Sequence, residues 1–253
     1  MHSKPDDRTI LAITGEDRSK FLQGLTSNAV PDELEPIKYT ALLTPQGKYL
    51  VDFLMIYETG RILIDVANDM AAALQSRLSM YKLRAAVDIE TTDIAVERGL
   101  GDPPAGALPD PRHPDLGWRR YGAVIDSANN VDWDAIRVRH CIPQTGIELI
   151  PNETYILEAG FERLNGVDFK KGCYVGQEVT ARMKHKTELK KGLATVRVDG
   201  TASVGTDILA DGKPAGTLFT QSGGHGIAYL RFARATVPMT AGQAAVTYQK
   251  PKI

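Results

Sequence analysis

The chain has 253 residues, and its 30 lysines and arginines nearly balance its 31 aspartates and glutamates, for a formal net charge of −1 at pH 7. This length supports the core of one large domain or of two modest ones. The near-neutral charge argues against binding nucleic acid through a broad phosphate contact. No apolar run approaches the length of a membrane span. We therefore expect neither a nucleic acid nor a membrane as a partner.

The first unit of the chain is predicted to open with a strand and a short helix. Residues 9–13 form an apolar run typical of a strand. Thr14 stands three residues before Asp17, an approximate capping box that predicts the start of a helix. Asn28 and Pro31 are expected to end that helix.

The next segment predicts an antiparallel sheet with a helix on one side. In chain order we expect three strands within 39–66 with turns at 44–47 and 58–60, a helix at 69–81 and a strand at 86–89. This order favours an α+β fold with a subdomain of ferredoxin-like type.

The second half of the chain changes character twice. Residues 101–117 are rich in proline and glycine, which indicates an exposed loop or a subdomain boundary. Helices are predicted at 132–139 and 153–164. After Gly192 come short strands between glycine turns, typical of a small β-barrel or β-sandwich, at 193–198, 227–232 and 244–248. We therefore predict one region at 1–188 and a second at 189–253.

The most informative segment surrounds one of the two cysteines. Cys173 lies between Gly172 and Gly176 and directly after a lysine pair, Lys170 and Lys171. Cations near a cysteine favour the thiolate, which is the form that attacks electrophiles and binds metals. Two readings remain open from these residues alone, a reactive thiol and a tight structural turn whose glycines serve backbone geometry.

The octapeptide Lys-Gly-Cys-Tyr-Val-Gly-Gln-Glu at 171–178 resembles the signature of the YgfZ family of folate-binding iron–sulfur maturation proteins. The flanking residues 166–169 and 179–182 agree with that family, as do the helix at 21–28 and the hairpin at 43–48 with Asp52. The similarity keeps the same order over nearly the whole chain.

The resemblance implies the fold of the glycine-cleavage T-protein, an aminomethyltransferase. That architecture has ferredoxin-like subdomains around a central folate-sized cavity and a C-terminal β-barrel. The resemblance also implies tetrahydrofolate as a ligand, a role in assembling or repairing [4Fe–4S] clusters, and A-type iron–sulfur carriers as partners. It favours an assembly factor over a transferase and leaves open whether the protein is an enzyme. The T-protein hairpin has an Asp-Asp pair where this chain has Val51-Asp52, which counts against transferase chemistry.

Site residues follow from the matched motifs. Cys173 is assigned as the essential thiol and Lys171 as the cation that favours its ionised form. Asp52 is the carboxylate expected to accept hydrogen bonds from a pterin ring; the alternative interpretation of Asp52 is a polar position on an exposed hairpin face.

Further residues assigned to folate binding or to the turn are Gly172, Tyr174, Gly176, Gln177, Glu178 and Arg182. Glu178 could instead be a first-turn carboxylate at a helix N-terminus. The basic run at 182–191 is either a solvated linker or a landing site for folate's glutamate tail or an acidic partner.

Ligand counting limits what Cys173 does with a metal. A conventional iron–sulfur cluster needs four protein ligands, mostly thiolates, and this chain has two cysteines without a Cys-x-x-Cys pair. Cys173 is therefore either a ligand of a cluster shared with a partner or a transient thiol in persulfide or disulfide exchange. Cys141 is interpreted as a buried packing residue, and the five histidines show no zinc-type spacing.

Three functions remain as hypotheses: an iron–sulfur assembly factor that binds tetrahydrofolate, a folate-dependent one-carbon transferase, and a docking module for cluster carriers without folate. The two cysteines do not make a disulfide framework, and the start of the chain, 1–8, is short and polar, so a reducing compartment is expected. That is a bacterial cytoplasm, or the mitochondrial matrix if a presequence has been removed.

Overall fold

The structure, a computed structural model, describes residues 7–123, 131–186 and 188–250. The polar start at 1–8, apart from its last two residues, lies outside the described part of the chain. The described residues form a five-stranded sheet, a three-stranded sheet and a closed barrel.

The five-stranded sheet is antiparallel throughout, with the order β2-β3-β4-β1-β5. Its strands are β1 (Arg8–Thr14), β2 (Ile37–Leu43), β3 (Tyr49–Glu58), β4 (Arg61–Ala67) and β5 (Asp88–Thr91). Helices α1 (Arg18–Gln23) and α2 (Asn68–Lys82) interrupt the strand order. The strands predicted at 9–13 and within 39–66, and the helix at 69–81, are confirmed.

Both faces of this sheet are buried, and each contributes to a different apolar core. In β1, Leu11 and Ile13 pack with α1 and α2, whereas Ile10 and Ala12 pack with residues such as Phe161 on the other face. Successive strand residues point to opposite faces, so a sheet covered on both sides needs apolar residues at consecutive positions. This is why eight consecutive residues of β3 are buried.

Three boundaries near the N-terminus differ from the prediction. Thr14 is the last residue of β1 and caps nothing; the helix begins after Asp17, whose carboxylate accepts a hydrogen bond from the amide of Ala86 at 2.9 Å. The helix ends at Gln23, before Asn28 and Pro31. The strand predicted at 86–89 lies at Asp88–Thr91. The capping prediction was wrong because Gly15, with φ of 96°, turns the chain between strand and helix.

The three-stranded sheet has the order β6-β8-β7. It consists of β6 (Ala95–Gly99), β7 (Leu108–Pro109) and β8 (Trp118–Gly122). The loop predicted at 101–117 therefore contains a two-residue strand, and it also contains a short 3₁₀ helix, Pro114–Leu116. Helix α3 (Trp133–His140) confirms the prediction at 132–139. The prediction of a helix at 153–164 is wrong, because that segment forms a series of turns.

The C-terminal unit is a closed barrel of six strands in the order β10-β11-β12-β9-β14-β13. Its strands are β9 (Lys191–Asp199), β10 (Thr206–Ala210), β11 (Lys213–Ser222), β12 (His225–Arg231), β13 (Met239–Ala241) and β14 (Ala244–Thr247). Closure leaves no free sheet edge. The prediction of a small barrel is confirmed. Before it runs helix α4 (Gln177–Lys186), which follows the cysteine turn directly. Within the described ranges, none of the helices is both long and apolar enough to cross a bilayer.

Candidate functional site

Cys173 lies at the tip of a short exposed turn with a buried base. Gly172 and Cys173 are exposed, whereas the residues on either side, Lys171 and Tyr174, are 8% and 7% exposed. A methyl group at Gly172 would meet no atom within 4 Å, so the tip projects into open space. The turn therefore presents the thiol outward while its two flanks hold it to the body of the protein.

The Lys171 side chain anchors the base of this turn. Its Nζ donates hydrogen bonds to the carbonyl oxygens of Thr26 and, at 2.9 Å, of Asn28, and it lies 5.0 Å from the centre of the Tyr174 ring. Burial lowers the pKa of the Lys171 ammonium to about 8, although the Asp168 carboxylate opposes the shift. The prediction that Lys171 favours the ionised thiol stays a prediction; these contacts give the residue a second role in holding the turn.

The end of the turn packs closely against the hairpin turn at 44–47. Gly176 has φ of 84°, and a methyl group on it would come within 2.6 Å of the carbonyl oxygen of Thr44. A methyl group on Gly47 would come within 2.8 Å of the Val179 side chain. The two segments that carry the family resemblance are therefore in contact, and their glycines make that contact sterically feasible.

Helix α4 begins at Gln177, directly after this contact. Glu178 lies exposed in its first turn, where a carboxylate is favourable beside the positive end of the helix dipole. Arg182 is exposed on the same helix, and Lys184 forms an ion pair with Glu162. Much of the basic run predicted as a linker or landing site is thus helical, and its first exposed cation is Arg182, nine residues after Cys173.

Asp52 lies in a separate place, on the wall of a cavity of about 400 Å³. It is 7% exposed and accepts hydrogen bonds from the hydroxyl groups of Tyr39 at 3.0 Å, Tyr49 at 2.7 Å and Thr145. The alternative of an exposed hairpin position is wrong, because the face of β3 that carries Asp52 is covered. Burial, followed by the negative charge of Asp52, raises the pKa of Tyr49 and of Tyr39, so both hydroxyls remain donors at neutral pH.

The rest of the cavity wall is rich in arginine and also carries Asp7 and Asp69. Its lining includes the arginines Arg8, Arg98, Arg112, Arg119 and Arg137. Asp65 and Asp110 pair with Arg8, Arg112 and Arg119, so this buried group has two carboxylates for three guanidinium groups. Arg98 pairs with Asp7, and Arg137 pairs with Asp134 and Glu148, so carboxylates accompany all five guanidinium groups. The scattered positions of these arginines gave no signal in the sequence.

The structure thus separates the predicted residues into two places. Asp52 lines the arginine-rich cavity. The residues of the turn and of α4 (Gly172, Cys173, Tyr174, Gly176, Gln177, Glu178 and Arg182) are absent from the described lining of that cavity. Their assignment to folate binding stays a prediction, and Cys173 lies at the surface.

Comparisons with known proteins match both the C-terminal barrel and most of the chain. Residues 190–253 match the family model described as CAF17, C-terminal beta-barrel domain. The chain is 29% identical to the human protein named iron-sulfur cluster assembly factor IBA57, mitochondrial, over 89% of this chain and 76% of the human one. The mouse protein of that name is 27% identical with the same coverage. A Neurospora crassa homologue is 32% identical over 75% of this chain, which spans about half, 52%, of that longer relative.

A solved structure establishes the fold. The glycine cleavage system aminomethyltransferase T from Bartonella henselae superposes with a TM-score of 0.70, covering 96% of this chain and 83% of that one, at 12% sequence identity. At this identity the match speaks for architecture alone. The chain therefore has the aminomethyltransferase T fold with a C-terminal barrel of CAF17 type, and over most of its length it is similar in sequence to iron–sulfur cluster assembly factors of the IBA57 group.

Proposed function

We propose that this protein is an accessory factor for iron–sulfur cluster assembly, of [4Fe–4S] clusters especially, and that Cys173 is its essential thiol. The observation that carries the proposal is the exposed Cys173 at the tip of a turn with a buried base. The similarity to proteins named as iron–sulfur cluster assembly factors supports it. A thiol held outward in this way is accessible to a partner protein.

The second cysteine is unsuited to join the chemistry. Cys141 is buried, and burial raises the pKa of its thiol to about 11, which keeps it protonated at neutral pH. A cluster bound through Cys173 therefore takes its remaining ligands from a partner, for which A-type cluster carriers are the proposed candidates. The other route is exchange with a partner: the Cys173 thiolate attacks a persulfide or disulfide of that partner, the partner's S–S bond breaks, and a thiolate of the partner leaves, which gives a transient persulfide or mixed disulfide on Cys173.

We further propose that the cavity binds tetrahydrofolate. Its volume of about 400 Å³ lies within the range of roughly 300–1,000 Å³ usual for small-molecule sites. A pterin ring is rich in N–H donors and suits the Asp52 carboxylate, and the glutamate tail of folate is anionic and suits the arginine-rich wall. Folate would then be a structural or regulatory ligand, at a site distinct from the Cys173 tip.

The role of Cys173 can be tested by Cys173→Ser. We expect loss of cluster maturation, because serine offers neither a soft thiolate ligand nor a sulfur nucleophile. The readout is complementation of a strain that lacks its own factor, together with anaerobic mixing with a loaded A-type carrier followed by absorbance. The matched control is Cys141→Ala, which leaves Cys173 as the only thiol and should keep activity. Full activity of Cys173→Ser would refute the proposed role.

The folate proposal has a separate test. Trp133 lines the cavity, so its fluorescence should change when tetrahydrofolate binds. Asp52→Asn removes the anionic acceptor but keeps the size of the side chain, and we expect it to weaken binding by roughly tenfold or more, the effect of losing a charged hydrogen bond worth about 1.5–3 kcal/mol. Asp69→Asn, at another carboxylate on the cavity wall, is the control. No fluorescence change in the wild type, checked by calorimetry, would favour a docking module without folate.

A one-carbon transferase remains the second candidate because the fold is that of an aminomethyltransferase. Val51 stands where the T-protein hairpin has the first aspartate of its Asp-Asp pair, but this difference counts less against transferase chemistry than the sequence suggested. Val51 packs in the apolar core on the α1 and α2 side of the sheet, opposite Asp52, so its side chain does not face the cavity. Formation of methylene-tetrahydrofolate from an aminomethyl donor would decide for this candidate, and absence of turnover would decide against it.

The proposed compartment is the one in which clusters are assembled. That is the cytoplasm in a bacterium and the mitochondrial matrix in a eukaryote. The names of the relatives describe those proteins as mitochondrial. Fractionation of the source cells with an antibody against the chain tests it.

A further inference from the structure

Three potential metal ligands meet at a place that the proposed function does not use. His113 and Asp115 flank the start of the 3₁₀ helix, and His140 is the last residue of α3. One ligand atom from each of the three side chains lies within 4.8 Å of the other two. Nε2 of His140 lies 2.6 Å from a carboxylate oxygen of Asp115, and the two imidazole rings stack with centroids 3.8 Å apart. We call these residues the His113–Asp115–His140 triad.

The backbone around the triad is held firmly on both sides. Leu116 is buried directly after Asp115, and Cys141 is buried directly after His140. The guanidinium group of Arg163 donates hydrogen bonds to the carbonyl oxygens of His140 and Cys141, which fixes the end of α3. Ligands on two rigid elements in contact need little backbone reorganisation to bind an ion.

The imidazole of His113 already makes one hydrogen bond that metal binding would replace. Its Nδ1 accepts a hydrogen bond from the amide of Asp115 at 3.1 Å. Either ring nitrogen becomes a ligand only when this bond is given up, because Nε2 carries the proton while Nδ1 accepts. The cost is about 1 kcal/mol, small against a metal–imidazole bond.

We propose that the His113–Asp115–His140 triad binds a zinc ion. Two imidazoles and one carboxylate are a ligand set that zinc accepts, with a water molecule in the fourth position. Tetrahedral zinc with bonds of about 2.1 Å places its ligand atoms about 3.4 Å apart, which the separations in the triad approach. The two stacked rings must also rotate apart so that a nitrogen lone pair of each points at the ion. The two histidines are 27 positions apart in the sequence, which is why no zinc-type spacing was visible there.

The location gives the ion a structural role. Arg112 and Leu116, next to the triad in one segment, line the arginine-rich cavity, and so do Ile142 and Pro143 just after α3. A zinc ion on the triad would bind the 3₁₀ segment to the end of α3 and thereby fasten two parts of the cavity wall together. This consequence does not depend on what the cavity binds or on the role of Cys173.

The test is a titration of the full chain with Co²⁺, whose visible ligand-field absorption reports on coordination by nitrogen and oxygen ligands. The chain is first stripped with a chelator and carries Cys173→Ser, so that the exposed thiol does not contribute. We expect one equivalent of Co²⁺ to bind and Zn²⁺ to displace it. His113→Ala, His140→Ala and Asp115→Asn should each weaken binding at least tenfold.

His225→Ala is the matched control, because His225 is an exposed histidine of the barrel whose Nδ1 contacts the carbonyl of Gly223. It should bind Co²⁺ as the parent does. Zinc should also raise the thermal unfolding temperature of the parent and of His225→Ala, but not of Asp115→Asn, which keeps the shape and the backbone cap of the triad. An unchanged Co²⁺ affinity in Asp115→Asn and His140→Ala, or no absorption in the parent, would overturn the proposal.

Discussion

The buried ammonium of Lys171 makes the base of the cysteine turn sensitive to pH. Its Nζ is held by two backbone carbonyls and a tyrosine ring, and burial holds its pKa at about 8, below the ordinary value of 10.5. In that interval the unfolded chain binds more protons than the folded one, so the free energy of unfolding rises as the pH increases.

We therefore expect the stability difference between the wild type and Lys171→Met to move in favour of the wild type as the pH rises from about 8 towards 10.5. The variant has no group at this position that titrates, so the other lysines cancel in the comparison. Denaturant unfolding at several pH values measures the difference. Lys170→Met, at the exposed neighbour, should show no such trend. A difference that stays constant with pH would show that the ammonium is not desolvated.

The sequence could predict that Cys173 lies in a turn but not how the turn is held. Glycines around a cysteine and adjacent lysines are local signals, and the exposed tip agrees with them. The partners of Lys171 lie 143 and 145 positions away, so no local pattern indicated them. The arginines of the cavity and the His113–Asp115–His140 triad were missed for the same reason, because folding brings together residues from separate segments.

At the scale of elements, the contact between the hairpin turn at 44–47 and the start of α4 depends on glycine. Gly176→Ala would place a methyl group 2.6 Å from the carbonyl oxygen of Thr44 and force alanine to adopt φ of 84°. We expect a loss of about 1–3 kcal/mol from backbone strain, with a further loss from the clash. Chemical denaturation measures it.

Gly60→Ala is the control that separates the cost of backbone strain from the cost of the steric clash. Gly60 has φ of 85°, yet a methyl group there would meet nothing within 4 Å, so this variant shows the strain without the clash. Gly176→Ala should therefore be the more destabilised of the two. Equal losses would mean that the hairpin turn moves away freely and that the contact contributes nothing.

The segment 153–164 shows the limit of periodicity at the same scale. Leu157, Phe161 and Leu164 are buried at helical spacing, a pattern that agrees with the helix predicted there. The chain instead forms successive turns, with Gly160 in the left-handed region at φ of 80° and the amide of Phe161 bonded to the carbonyl of Ile156. The apolar spacing reports burial correctly, but it does not distinguish a helix from a compact series of turns.

At the scale of the molecule, Asp65 joins the two sheets. This carboxylate on β4 is fully buried and accepts hydrogen bonds from Arg8 of β1 and from Arg119 and Tyr121 of β8. Arg119 also pairs with Asp110. Burial alone would raise the pKa of Asp65 and of Asp110, but the neighbouring guanidinium groups outweigh it and hold both below the ordinary 3.8.

Carboxylates with a depressed pKa contribute stability that is complete above their unfolded value and is lost as the pH falls below it. The wild type should therefore lose stability below about pH 4. Arg119→Met leaves two buried carboxylates with fewer cations, so we expect a loss of about 3–5 kcal/mol at neutral pH. The pKa values of these carboxyls should then rise, and acid unfolding should begin at a higher pH.

Acid titration followed by circular dichroism, together with denaturant unfolding at pH 7, measures both effects. Arg120→Met is the matched control, because Arg120 is the next residue on β8 and its pair with Glu97 is closer to solvent. Its loss should be clearly smaller, and its acid transition should stay near that of the wild type. If Arg119→Met unfolds in acid at the same pH as Arg120→Met, the link through Asp65 does not hold the sheets together, and their apolar contacts alone must do so.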